Sequence, residues 1–166
     1  MASVGETDHV VGVELLHKGF SRAFARFMET GRFAGEPADA LIPIYETLNW
    51  ATTLDERLAS DAAAGEGLDW SWRANYTDGK VVAGVRYARN RVHHQWAEAL
   101  YVTPGAQLPM QLPAPLFEWR WRSELPPGKD DRGLSEYEEL LSGQPARVTL
   151  VLLNQVFTQA VQTSGP

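Results

Sequence analysis

The sequence predicts a mainly α-helical bundle that carries one extended insert rich in proline and tryptophan. Three observations predict it. Apolar residues recur at three- and four-residue spacing over residues 10–30, 37–60 and 80–102. Prolines 104, 109, 113, 115, 126 and 127 then forbid a continuous helix over residues 103–131. Shorter helical patterns return at 135–141 and 146–162. The 166 residues, 44% hydrophobic and 22% charged, suit one domain with a real core and argue against two.

In the first helix Val13, Leu16, Phe20, Ala23, Phe24 and Phe27 form the apolar stripe, and Gly31 is placed to stop it in a left-handed turn. Gly12 and Gly19 each weaken this helix by about 1 kcal/mol against alanine, so packing must hold it. His17 lies one step off the stripe, at its boundary. The second helix aligns Leu41, Ile44, Leu48, Ala51, Leu54 and Leu58, with Pro43 either kinking it or marking its first turn. Asp55 breaks the pattern. Eleven positions after Ile44, it falls about 20° away on a straight helix, inside the apolar stripe. A carboxylate there requires a partner.

Residues 61–79, with Gly65, Gly67, Gly79, Trp70, Trp72 and Tyr76, read as a loop clamped down by its aromatics. The third helix is expected over residues 80–102, ended by Pro104-Gly105. With Val81 at zero on the wheel, Val85, Ala88, Val92, Trp96, Ala99 and Leu100 fall within an arc of about 120°. Arg89, at about 80°, enters that arc, which makes a buried Asp55–Arg89 ion pair one reading and a free, phosphate-facing Arg89 the other. Within the insert, Phe117, Trp119 and Trp121 alternate with Glu118, Arg120 and Arg122, the pattern of a short edge strand or brace near residues 116–122. Ser135 and Glu138 have the spacing of a capping box for the fourth helix.

Charge and cysteine content narrow the chemistry. The chain has no cysteine, which excludes disulfides, thiol catalysis and thiolate metal sites. Its net charge of -6 repels nucleic acid and anionic lipid overall, so any nucleic-acid contact needs a local patch. Such a patch is present: residues 80–94 carry Lys80, Arg86, Arg89 and Arg91 and no acid. Residues 129–139 read as a solvated acidic face. A cytoplasmic protein is expected, because residues 1–8 hold Glu6 and Asp8 without a basic residue and the most apolar stretch is too short for a bilayer. Walker, dinucleotide-binding, His-Glu-x-x-His and Gly-x-Ser-x-Gly patterns are missing from the sequence, and the histidine spacing offers no metal site.

Arg89-Asn90-Arg91-Val92-His93-His94 resembles the R-N-x-x-x-H form of the motif that marks HEPN domains. The resemblance implies a helical bundle and a homodimer that pairs two motifs across a two-fold axis. It further implies an endoribonuclease of a toxin-antitoxin or antiviral-defence type, with a cognate antitoxin as a candidate partner. Arg89 and His94 would be the catalytic pair and Asn90 their polar support. The 2′-hydroxyl of RNA would attack the adjacent phosphate and leave a 2′,3′-cyclic phosphate, with neither metal nor cofactor. Histidine titrates near neutrality and suits acid–base work, while a guanidinium grips phosphate oxygens. His93, about 40° from Arg89 on a straight helix against about 140° for His94, is the nearer neighbour by geometry. Arg86, Arg91 and Lys80 are candidate substrate contacts. A non-catalytic HEPN-like scaffold for a protein or a small anionic ligand is the competing expectation, and a ligand sensor using the aromatic insert is a third.

Overall fold

The computed structural model describes residues 4–30, 37–92, 95–103 and 116–163. Five helices dominate: α1 (Val4–Thr30), α2 (Pro37–Ala62), α3 (Lys80–Val92), α4 (Leu134–Leu140) and α5 (Ala146–Thr163). Two strands, β1 (Leu100–Thr103) and β2 (Leu116–Trp119), pair antiparallel with Leu100 opposite Trp119 and Thr103 opposite Leu116. The chain therefore adopts the expected mainly α fold, and of the extended element expected near 116–122 residues Leu116–Trp119 form a strand. None of its described helices is long and apolar enough to cross a membrane.

Helices α1 and α2 form a long hairpin whose facing stripes bury Val13, Phe20, Phe27, Ile44, Leu48 and Leu54. Gly19 lets the two approach, since a Cβ there would stand 2.8 Å from the Trp50 ring. Pro43 lies inside α2, and its carbonyl accepts a hydrogen bond from Thr47 Oγ1 at 2.7 Å. Helix α5 closes the hairpin through Phe157, whose ring meets Phe20 edge-on at 5.2 Å and stacks on Trp72 at 6.2 Å. His17, half-buried on α1, faces Thr158 of α5, and burial lowers its pKa.

Three expectations need correction. The third helix stops at Val92, ten residues early. Trp96, Ala99 and Leu100 are indeed buried, but a 3-10 turn (Trp96–Glu98) and β1 bury them, because Leu100, Tyr101 and Val102 find a partner strand in β2. Second, β2 is an edge strand of a two-stranded sheet, as expected, but its outer edge is not bare. Its other side bonds residues 143–145, with Trp119 N donating to Gln144 O at 2.9 Å and Gly143 N donating to Trp119 O at 3.0 Å. The strand also ends before Trp121, which leaves the buried face and lies 60% exposed over Gly143. Third, α4 is capped by Gly133 in a left-handed conformation (φ 86°) rather than by Ser135, whose hydroxyl instead bonds Glu136.

Two further polar contacts fix the insert on the bundle. The indole of Trp96 donates to Asn49 Oδ1 and that of Trp119 to Thr149 Oγ1, both at 2.8 Å. Buried Trp and polar side chains are kept where their donors are met.

Gly133 is also where α4 touches α3, since a Cβ there would sit 2.4 Å from the Ala83 carbonyl. Gly133→Ala is expected to destabilise the fold by more than about 1–2 kcal/mol, adding a clash to left-handed strain. Gly65→Ala, in open space, should be neutral or stabilising by up to about 1 kcal/mol. Urea denaturation midpoints of the two variants check this.

Candidate functional site

The site is built from α3 upward. That helix buries two faces, not one. Val81, Val85, Ala88 and Val92 face the main core, while Gly84, Tyr87 and Arg91 are buried against α4 and the chain leading into it. On the wheel this second face spans about 240–300°, leaving Arg86 and Asn90 at about 140–180° on a narrow ridge between. Sequence periodicity missed the second face because a glycine, a tyrosine and an arginine carry no apolar signal.

Asp55, on α2, is 1% exposed and is held by the bundle's main ion network. Its partner is Arg73, not Arg89: Arg73 Nε and Nη2 donate to the two carboxylate oxygens at 2.9 and 2.5 Å. Arg86 Nη1 adds a longer contact at 3.4 Å. Burial pushes the Asp55 carboxyl above its usual range, and the Arg73 hydrogen bonds and charge, followed by the Arg86 charge, pull it back. Arg73 arrives on a 3-10 turn (Trp70–Asn75) inside the expected loop, capped by Asp69, whose carboxylate accepts from Ser71 N at 2.9 Å. Arg73 and Arg86 also lie over the Trp70 ring at 4.6 and 4.0 Å. The signal that could have found Arg73 is its position directly after Trp70 and Trp72, in the loop that follows a helix with an unpaired core carboxylate.

Arg89 instead sits at the rim, 22% exposed, with Nη1 3.4 Å from Glu56 Oε1, and Arg86 reaches the same oxygen at 3.2 Å. Asn90 Nδ2 donates to Asp130 Oδ2 at 3.4 Å. Arg91 is buried and paired with Asp131. Asp130 in turn accepts from Arg132 Nε at 2.9 Å, Nη2 at 2.8 Å and the Arg132 backbone N–H at 3.1 Å. The start of the 129–139 stretch, expected to be a solvated acidic face, keeps Lys129, Asp131 and Arg132 exposed while segment 128–132 lies along α3 as the second wall of a furrow.

Two cavities make up that furrow. One of about 250 Å³ is lined by Trp70, Arg73, Arg86, Asn90 and Arg132 among others. The other, about 480 Å³, is lined by Arg86, Arg89, Asn90, Arg91, Lys129 and Arg132, with Asp130 the one acid in its lining and Gly128 at its edge. The structure therefore brings Arg86, Arg89, Asn90 and Arg91 together. Lys80 lies six residues before Arg86 on α3, about 9 Å along the axis, in an adjoining cavity that holds Glu136 and shares Trp70 and Arg73 with the smaller of the two. His93 and His94 fall outside the described residues.

The furrow can bind anions. Five cations and one carboxylate line the larger cavity, and Asp55, Glu56 and Asp131 pair with three of those cations, which leaves a small positive excess on one strip of a chain of net charge -6. Guanidinium groups and an amide supply the in-plane donors that phosphate oxygens accept. Comparison with protein-family models, with curated proteins and with solved structures finds no match.

Removing Arg73 strands a buried carboxylate, so Arg73→Ala is expected to cost about 3–5 kcal/mol. Arg89→Ala breaks a rim pair and should cost about 1 kcal/mol or less. Chemical denaturation of both variants measures the difference, and equal costs would restore Arg89 as the partner of the core carboxylate. A second expectation concerns Asp130. Its hydrogen bonds from Arg132 lower its pKa to about 2. Because the folded value is depressed, its stabilising contribution is present above the unfolded pKa and is lost as pH falls through about 2. Carboxyl-carbon NMR titration should show this midpoint, and Arg132→Ala should move it up toward 3.8.

Proposed function

We propose that this chain is a HEPN-like, metal-independent endoribonuclease of a toxin or antiviral-defence type, cytoplasmic and active as a homodimer. The observation that carries the reading is the convergence of Arg86, Arg89, Asn90 and Arg91 on one basic furrow. The first three positions of the R-N-x-x-x-H resemblance thus share a surface suited to a phosphodiester. In this reading the furrow grips the backbone of unpaired RNA and Arg89 offsets the charge that builds on the phosphate. A histidine, His94 by motif spacing or His93 by the spacing expected of an unbroken helix, moves the protons of the attacking 2′-hydroxyl and the departing 5′-oxygen. The bonds balance without a further reactant: the 2′-oxygen joins phosphorus as the 5′-oxygen leaves, giving a 2′,3′-cyclic phosphate.

A second reading has its own support. Arg86 and Arg89 both already contact Glu56, which suits a non-catalytic HEPN-like scaffold that recognises a protein partner or a small anion by exchange of ion pairs. A cognate antitoxin would be a partner of that kind.

Unstructured RNA incubated in chelator separates the two. The wild type is expected to cleave and leave cyclic phosphate ends. Arg89→Ala should lose about 10²–10³-fold in rate, and His94→Ala or His93→Ala about 10²–10⁴-fold. Glu56→Gln should raise RNA affinity by releasing two guanidiniums. RNA retention without cleavage, equal in wild type and histidine variants, would leave the scaffold reading. Sedimentation at twice the 18.4 kDa chain mass tests the homodimer.

A further inference from the structure

Arg91 is the most deeply buried cation of the furrow, with 1% of its side chain exposed. Its Nη2 pairs with Asp131, but Nε and Nη1 are buried and have no acceptor among the described residues. A guanidinium carries five N–H groups, one on Nε and two on each terminal nitrogen, so three go without an acceptor. The Tyr87 ring, 4.8 Å from Cζ, offsets part of the charge but accepts nothing in the guanidinium plane. Buried donors of a charged group left in this state are costly, and native proteins meet them.

The surroundings of Arg91 point to what meets them. Gly128 lies directly against it: a Cβ there would stand 2.4 Å from Nη1, so the chain is kept bare at that place. Asp131 is 66% exposed and reaches the guanidinium from the solvent side. Asn90, Lys129 and Arg132 line the same cavity and supply further donors, with Asp130 held back by Arg132.

We propose that Arg91 and the segment 128–132 form a seat for a phosphate dianion, a phosphomonoester or free phosphate, whose place the Asp131 carboxylate holds in the unliganded protein. The ligand enters as the exposed carboxylate swings outward. Two phosphate oxygens then lie in the plane of the guanidinium, and Lys129 neutralises the second charge while Arg132 stays with Asp130. A dianion displaces the carboxylate where a monoanion gains nothing by exchange. The seat needs neither histidine and no cleavage, so it stands whether or not the chain cuts RNA.

Calorimetry with inorganic phosphate, and with matched oligodeoxynucleotides bearing a 5′-phosphate or a 5′-hydroxyl, tests it without cleavage, since these ligands lack the 2′-hydroxyl. Asp131→Asn is expected to tighten phosphate binding by about tenfold. Lys129→Ala should weaken it severalfold, and Arg91→Lys, confirmed folded by circular dichroism, at least tenfold. A tighter 5′-phosphorylated oligonucleotide identifies a chain-terminal phosphate as the ligand. Equal oligonucleotides with the same variant pattern for inorganic phosphate identify the free ion. Absence of phosphate binding at millimolar concentration, or binding indifferent to both Asp131→Asn and Lys129→Ala, overturns the seat, and those two loop variants keep the test decisive if Arg91→Lys fails to fold.

Discussion

A carboxylate placed inside a hydrophobic stripe constrains everything around it. Asp55 cannot reach water, so the bundle must bring cations to it, and it does so from two directions. Arg73 draws the 3-10 turn back onto α2, and Arg86 fixes how far along α2 the third helix sits. The same contact sets the neighbouring Glu56 opposite Arg89, so the rim of the furrow inherits its geometry from the core. Buried ion pairs add little net stability compared with apolar packing, yet they tolerate few alternative arrangements. Here that intolerance is useful, because it holds a row of guanidiniums at fixed spacing.

Much of this was readable from residue order. Helices α2, α4 and α5 lie within two residues of the patterns that announce them, while α1 begins six residues before its pattern, and the expected Gly31 stop lies outside the described residues. The need of Asp55 for a partner was equally legible. The partner's identity was not, because Arg73 is eighteen residues away on a turn whose course only tertiary packing decides. The over-extension of α3 has a different cause. Trp96, Ala99 and Leu100 satisfy helical spacing by coincidence, and strand pairing with β2 outcompetes a weak local preference. Of the candidate site, Arg86, Arg89, Asn90 and Arg91 could be named as a basic cluster, whereas the opposing wall at 128–132 could not, as nothing in an acidic stretch indicates that it folds onto a basic helix.

The furrow is a strip of matched charges more than a bare basic patch. Arg86 and Arg89 share Glu56, Arg91 holds Asp131, and Arg132 holds Asp130. Each of these four guanidiniums thus meets a ligand only in competition with a resident carboxylate. Such an arrangement suppresses weak adventitious binding, keeps the chain's overall acidity compatible with a basic site, and favours ligands with several charges in fixed relation. Specificity then lies in the exchange of partners.

The position of Phe157 carries a consequence for how the polypeptide acquires its shape. The ring completes the packing of Phe20 from the first helix and of Trp72 from the middle of the chain, although it belongs to the fifth helix. During translation the α1–α2 hairpin emerges long before this keystone does. The contacts that Phe20 and Trp72 make with it therefore form only after the final helix has been synthesised.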